Sequence, residues 1–174
     1  MPAPAPDINS NYYIRYTYGG WSPCIQGNTA HGLQPFPGSV LPNCSGFATG
    51  RFNERLGLNA CTWLGNYNGA EFVDVARAQG LGTGWDPVEG GIIAWGDPGS
   101  EGHVAVVEQV IDNDHIVTME SGWNYTTTPI VRTVNRTRGA NGRWGWPEEC
   151  KGFAYPPGVP GQAVDYYMLF LEDE

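Results

Sequence analysis

From Gly90 to Tyr155 the chain runs as short apolar segments broken by Gly, Asp and Asn: Ile92 to Trp95, His103 to Val110, His115 to Met119, Pro129 to Val134 and Gly152 to Tyr155. Runs of that length between turn formers read as strands. The segment VIDNDHIV sets Asp112, Asn113 and Asp114 between two of them, and Asp and Asn tolerate the left-handed backbone of a hairpin turn. Ahead of Gly90 the period changes. Cys44, Ala48, Phe52 and Leu56, with Phe47 beside them, recur at helical spacing, started by Pro42 and Asn43 and stopped by Gly57. A second helix is expected from about Ala70 to Ala78, with Phe72, Val73 and Ala76 as its buried stripe and Gly80 at its end. Helices followed by antiparallel strands is an α+β order, with N-terminal helices packed on a central antiparallel sheet.

At 174 residues the chain fits one domain, and 41% hydrophobic residues suffice for a core. Residues 1–40, crowded with Tyr, Gly, Pro and Trp in no helical order, are expected to lie as an irregular segment on that core. Residues 41–174 form the core itself with its C-terminal strands. Within them GANGRWGW, from Gly139, reads as a mobile loop, and Gly158 to Gly161 as a loop or the start of a tail. The net charge of −9 sets like charge against nucleic acid and anionic lipid, so neither is an expected partner. No stretch approaches the ~20 apolar residues of a membrane span, and the start MPAPAPDINSN lacks the basic and apolar pattern of a secretory signal. The four cysteines, Cys24, Cys44, Cys61 and Cys150, form no CxxC pair, and no structural metal is expected.

Cys44 falls in the first turn of a helix, where unpaired N–H groups and the positive end of the macrodipole favour a thiolate. A small core side chain is the plainer use of such a cysteine. Of the three histidines, His31 lies in a Gly/Pro-rich loop and His115 follows a turn, whereas His103 opens a buried strand and can hold its ring at the sheet edge. Such a ring needs an acceptor on its second nitrogen. Pairing about Asn113 sets position 123 opposite 103, which brings Glu120 and Asn124 within a bulge or turn offset of His103. Glu120 equally reads as the polar end of its strand. Trp95 is expected in the core, while Trp21 and Trp123 are candidates to line a substrate groove.

The segments NCSGFATGRF from Asn43, GAEFVDVARAQG from Gly69, GGIIAW from Gly90, GHVAVVEQV from Gly102 and ESGWN from Glu120 together resemble the cysteine, histidine-dependent amidohydrolase/peptidase (CHAP) domain over residues 40 to 125. The aromatic lead-in YYIRYTYGGW and the GRF helix look most like the phage lysins and tail-associated wall hydrolases of that family. The resemblance implies a papain-like fold and cleavage of a peptidoglycan amide, either N-acetylmuramoyl-L-alanine or a bond of the stem peptide or cross-bridge. It makes Cys44 the nucleophile, His103 the general base and acid, and Glu120 the group that orients the ring. Many members carry Asn two residues beyond the acid; here that position is Gly122, which leaves Asn124 to supply a polar group. Some members bind calcium through acids just ahead of the Cys, but LQPFPGSVLPNC has none, so no calcium site and no cofactor carry over.

On that reading the backbone N–H of Cys44 and the side chain of Asn43 are the candidate oxyanion donors, Asn43 reading equally as a helix N-cap. The expected partner is bacterial peptidoglycan. At −9 the domain has no long-range attraction for an anionic wall, so a targeting domain, subunit or virion component is expected as well. The corresponding setting is a phage-encoded protein made in the host cytoplasm and acting on the wall, or one carried by the virion. The rival is a noncatalytic wall- or glycan-binding module, suggested by the 13% aromatic content.

Overall fold

Asn43 sets the start of the first helix. Its backbone is extended (φ −161°, ψ 136°), and its side-chain oxygen accepts from the Gly46 N–H at 2.7 Å, the bond that caps an otherwise unpaired donor. Helix α1 then runs over Cys44–Arg55 and turns Phe47, Ala48 and Phe52 into the core. Gly57, at φ +65°, follows its last turn with a backbone angle few side chains tolerate. The second helix differs from expectation at its start: Gly69–Glu71 is a 3-10 turn, and α2 proper is Phe72–Ala78. The reason is a close approach, since a Cβ on Gly69 would stand 2.6 Å from the His103 carbonyl carbon.

This computed structural model describes residues 3–10, 12–13, 41–58, 62–65, 67–122 and 129–162. Among the described residues six strands form one antiparallel sheet: β1 (Thr83–Gly84), β2 (Ile92–Trp95), β3 (His103–Val110), β4 (His115–Ser121), β5 (Val131–Thr137) and β6 (Cys150–Ala154). Their order is β1-β6-β2-β3-β4-β5. Pairing moves several ends from where local sequence puts them. β4 reaches Ser121 because Glu120 pairs with Arg132 and Ser121 with Val131. β5 starts after Pro129, which has no N–H for the ladder, and its polar end is carried on to Thr137 by pairing with His115. β6 begins at Cys150, opposite Trp95, across a bulge between Ala94 and Trp95.

The sheet is covered on both faces. Helix α1 lies across β3 and β4 and α2 across β6 and β2, enclosing Phe47, Phe52, Phe72, Val104 and Val106. The opposite face buries Ile93, Trp95, Ala105, Val107, Ile116 and Phe153. Trp144 closes this second core, 1% exposed and edge-on to Phe153 (5.6 Å, 87°). The segment read as a mobile loop is therefore anchored by its tryptophans. The 158–161 stretch likewise returns to the sheet, where Gln162 N–H bonds the Thr83 carbonyl at 2.9 Å. Of the lead-in, Tyr13 stacks on Phe47 (5.7 Å, 14°) and donates to Glu54 at 2.8 Å; residues 14–40 lie outside the described residues. Among the described residues no helix is long and apolar enough to cross a membrane.

Candidate active site

Three elements converge at one end of the sheet. Cys44 is the first residue of α1, His103 the first of β3, and Glu120 the penultimate residue of β4. The β3–β4 register shifts between Val107 and Gln109, after which Val106 faces Met119. Continued one pair further, that register sets Glu120 beside Ala105, on the face His103 shares. The bulge thus supplies the offset that the simple turn count left open. His103 Nε2 lies 3.2 Å from Glu120 Oε2, and Cys44 and the same ring stand close enough that each shifts the titration of the other. With Nε2 facing the carboxylate, Nδ1 is the nitrogen left for the thiol.

The electrostatics of the three groups follow from that line. Burial pushes the Cys44 thiol pKa up, but the hydrogen bond and charge of His103, with the hydroxyl and N–H of Ser45, outweigh it and hold the thiol below its ordinary value. Burial pushes His103 down, and its bonds to Cys44 and Glu120 more than reverse this, so the imidazole is raised. The two shifts favour a thiolate beside an imidazolium. Glu120 is fully buried. Burial raises its pKa, yet the His103 bond and the charges of Arg136 and Arg132 bring it to about 2.

Those arginines are what sequence reasoning missed. Arg132 donates to Glu120 Oε1 from Nε at 2.9 Å and Nη2 at 2.6 Å. Arg136 bonds Glu120 Oε2 through Nη2, Thr118 Oγ1 through Nε at 2.9 Å, and the Trp144 carbonyl through Nη1 at 3.1 Å. The signal was alternation: residues 132, 134 and 136 share one face of β5, and ending that strand at Val134 left Arg136 off it. A second missed residue is Trp146, whose ring stacks on His103 at 4.1 Å and 14°. Trp95 lies against the other aromatic members, 5.7 Å from His103 and 5.6 Å from Trp146. It is fully buried, as expected.

Asn43 is observed as the helix cap, with its side-chain oxygen committed to Gly46. His115 is exposed and bonds Asp112 at the far hairpin turn, away from this site. Asn124, Trp21 and Trp123, like Cys24, Cys61 and His31, lie outside the described residues. Cys44 and Cys150 are free thiols, both half-buried. Among the described residues no group of three or more His, Cys, Asp or Glu could hold a metal ion.

A family model, the CHAP domain, matches residues 35–122, half of the chain. The chain belongs to the CHAP domain family. CHAP domains are typically hydrolytic, with amidase or peptidase activity, which supports an enzyme here. The matched segment takes in Cys44, His103 and Glu120 and ends at Gly122. Arg132, Arg136 and Trp146 therefore come from the part of this CHAP protein that follows the match.

Proposed function

We propose that this CHAP protein is a cysteine-dependent peptidoglycan hydrolase with a papain-like arrangement, acting as an N-acetylmuramoyl-L-alanine amidase or as an endopeptidase of the stem or cross-bridge. The observation that carries the reading is the convergence of Cys44, His103 and Glu120, with His103 bonded to Glu120 and electrostatically coupled to Cys44. The Cys44 thiolate attacks the amide carbonyl, and His103 delivers a proton to the departing amine. Water then attacks the thioester, with His103 taking its proton. Glu120 keeps the ring in one tautomer and orientation throughout.

The tetrahedral oxygen needs donors. Gly46 and Phe47 N–H groups are spent on Asn43, whereas Cys44, as the first residue of the helix, has no intrahelical acceptor for its own N–H. That N–H is one donor in this scheme. The other is Asn43 Nδ2, available because the cap bond uses only the amide oxygen; each such donor contributes roughly 3–4 kcal/mol. The setting that fits the reading is a phage-encoded lysin or virion enzyme, brought to the anionic wall by a targeting domain or subunit.

The test is digestion of purified Gram-positive peptidoglycan by wild type and Cys44→Ala, with fragments and new amino termini identified by mass spectrometry. Fragments from wild type alone support the thiol mechanism, and a free L-Ala terminus separates amidase from endopeptidase. Equal digestion by Cys44→Ala would sink it, as would protein that binds the wall and releases nothing.

A further inference from the structure

The charge of the chain is unevenly spread. Between residues 132 and 151 stand Arg132, Arg136, Arg138, Arg143 and Lys151 against Glu148 and Glu149, five minus two or +3, within a chain of net −9. Arg132 and Arg136 are consumed by Glu120. Arg138 and Arg143 instead line a cavity of about 350 Å³, with Trp85, Asn141, Glu149 and Cys150 among its other walls. That volume is at the lower end of ligand sites, which run about 300–1,000 Å³. The cavity shares no residue with the line of Cys44, His103 and Glu120.

One wall is an aromatic platform. Trp85 is 56% exposed, yet it is not loose. Its backbone N–H donates to Gln162 Oε1 at 2.6 Å, and the residue before it, Gly84, pairs with Phe153. Its ring rests by Gly152, where a Cβ would come 3.8 Å from Trp85 Cε3 and where φ is +103°. A large indole fixed on one side and open on the other is what the C–H face of a pyranose stacks on.

The facing wall is cationic and weakly neutralised. Among the described residues Arg138 has only Asp86, at 3.8 Å, as ion partner, and its guanidinium lies 5.8 Å over the Trp144 ring. Arg143 makes no ion pair among the described residues; it bonds the Pro147 carbonyl through Nη1. Glu149 is drawn toward Lys151 at 3.9 Å. Asn141 accepts from the Arg143 N–H at 3.1 Å through its side-chain oxygen, which leaves its amide N–H groups to donate. A neutral sugar has no use for two guanidinium forks, and a bare anion has none for the indole.

We propose that this cavity binds an acidic saccharide, with the sugar ring on Trp85 and its carboxylate between Arg138 and Arg143. The inference leans on the wall-hydrolase reading only for the source, the lactyl carboxylate of muramic acid, which is free where the stem peptide has been removed from the glycan. There the site gives a −9 domain a local hold on the stripped strand, separate from Cys44, His103 and Glu120.

The experiment uses the full chain carrying Cys44→Ala and titrates glycan chains freed of stem peptides, neutral chitin oligosaccharides of matched length, and a glycerol phosphate polymer, read by Trp fluorescence and calorimetry. The acidic glycan is expected to bind at least tenfold more tightly than the neutral one. Trp85→Ala and Arg143→Gln are each expected to weaken it by roughly tenfold while thermal melting stays close to the parent. Equal binding of acidic and neutral chains overturns the proposal, and so does unchanged affinity in both variants. Preference for the phosphate polymer over the glycan overturns the carboxylate assignment. Catalysis plays no part in this readout, so failure of the thiol mechanism shows only in wall digestion.

Discussion

Arg136 donates to Oε2 of Glu120, the same oxygen that faces Nε2 of His103. One carboxylate thus serves a ring on one side and a buried guanidinium on the other, with Arg132 on Oε1. Cutting the pair leaves Glu120 with Arg132 and His103 only, and the loss of one partner of a buried charge costs about 1–3 kcal/mol. Arg136→Met is expected to lose stability of that order in urea denaturation and to lower kcat through a displaced Glu120. Arg136→Lys keeps the charge without the fork to Thr118 and the Trp144 carbonyl, and is expected to fall between. A fully stable Arg136→Met would show that the clamp is dispensable.

Glu120 also fixes how the fold responds to acid. Its carboxyl goes from an ordinary value of 4.5 to about 2 in the native state, so the folded protein binds that proton less readily than the unfolded chain. The stabilisation is complete above pH ~4.5, is lost as pH falls toward 2, and amounts to roughly 3 kcal/mol. Urea midpoints measured across that window are expected to drop for wild type and to converge on those of Glu120→Gln near pH 2. Parallel curves for the two proteins would contradict the assignment.

The two free thiols among the described residues should separate by pH. Cys44 is held low by His103 against its burial, whereas burial raises Cys150. Iodoacetamide at about pH 6.5, where an ordinary thiol is mostly protonated, is expected to label Cys44 well before Cys150. His103 depends on the same contact, since Cys44 leads the influences that raise it against burial. In Cys44→Ala its pKa, followed by NMR of the ring, is expected to fall. In wild type, activity should rise through the lowered thiol pKa and decline only above the raised imidazole pKa. An unchanged His103 titration would argue against the pairing.

Trp146 is expected to act on His103 through its stacked ring, not through substrate. Its indole N–H is tied to Glu148 at 3.1 Å, which holds the plane in place. Trp146→Leu should lower kcat several-fold with little change in KM, and Trp146→Phe should recover most of it by restoring a flat ring. A change confined to KM would place the residue in the groove instead.

Glu108 ties the helix that carries Cys44 to the sheet. It accepts from Arg51 Nε at 2.8 Å and Nη2 at 3.0 Å, and from Arg55 at 2.6 Å. Glu108→Ala takes the carboxylate from Arg55 and leaves Arg51 with Glu54 alone as counter-ion, and is expected to cost about 1–3 kcal/mol, measured by denaturant midpoint. Activity should fall with it, because α1 carries Cys44.

What could be read in the chain and what could not divide along the range of the interactions. The helix face from Cys44 to Leu56, its Asn43 start and its Gly57 stop are local, and all stand in the structure. The order of Cys44, His103 and Glu120 was also legible, because a hairpin count limits which residues can meet. Arg132 and Arg136 were not, since their meaning depends on β5 lying next to β4, and nothing within β5 states its neighbour. The 3-10 turn at Gly69–Glu71 answers to the β3 backbone, again a distant contact. Trp144 and Trp146 sit among glycines, so their segment carries no strand or helix period, yet their burial organises it.

Helix α1 enters the chain long before β3 and β4. Everything that lowers the Cys44 thiol beyond its own helix and Ser45 arrives with His103, so during synthesis, and in any state where the sheet has opened, that sulfur reverts toward an ordinary thiol. The lowered thiol thus belongs to the closed tertiary structure alone. An unfolded pool of this chain holds Cys44 close to an ordinary thiol, and labelling of Cys44 at mildly acidic pH becomes a count of native molecules.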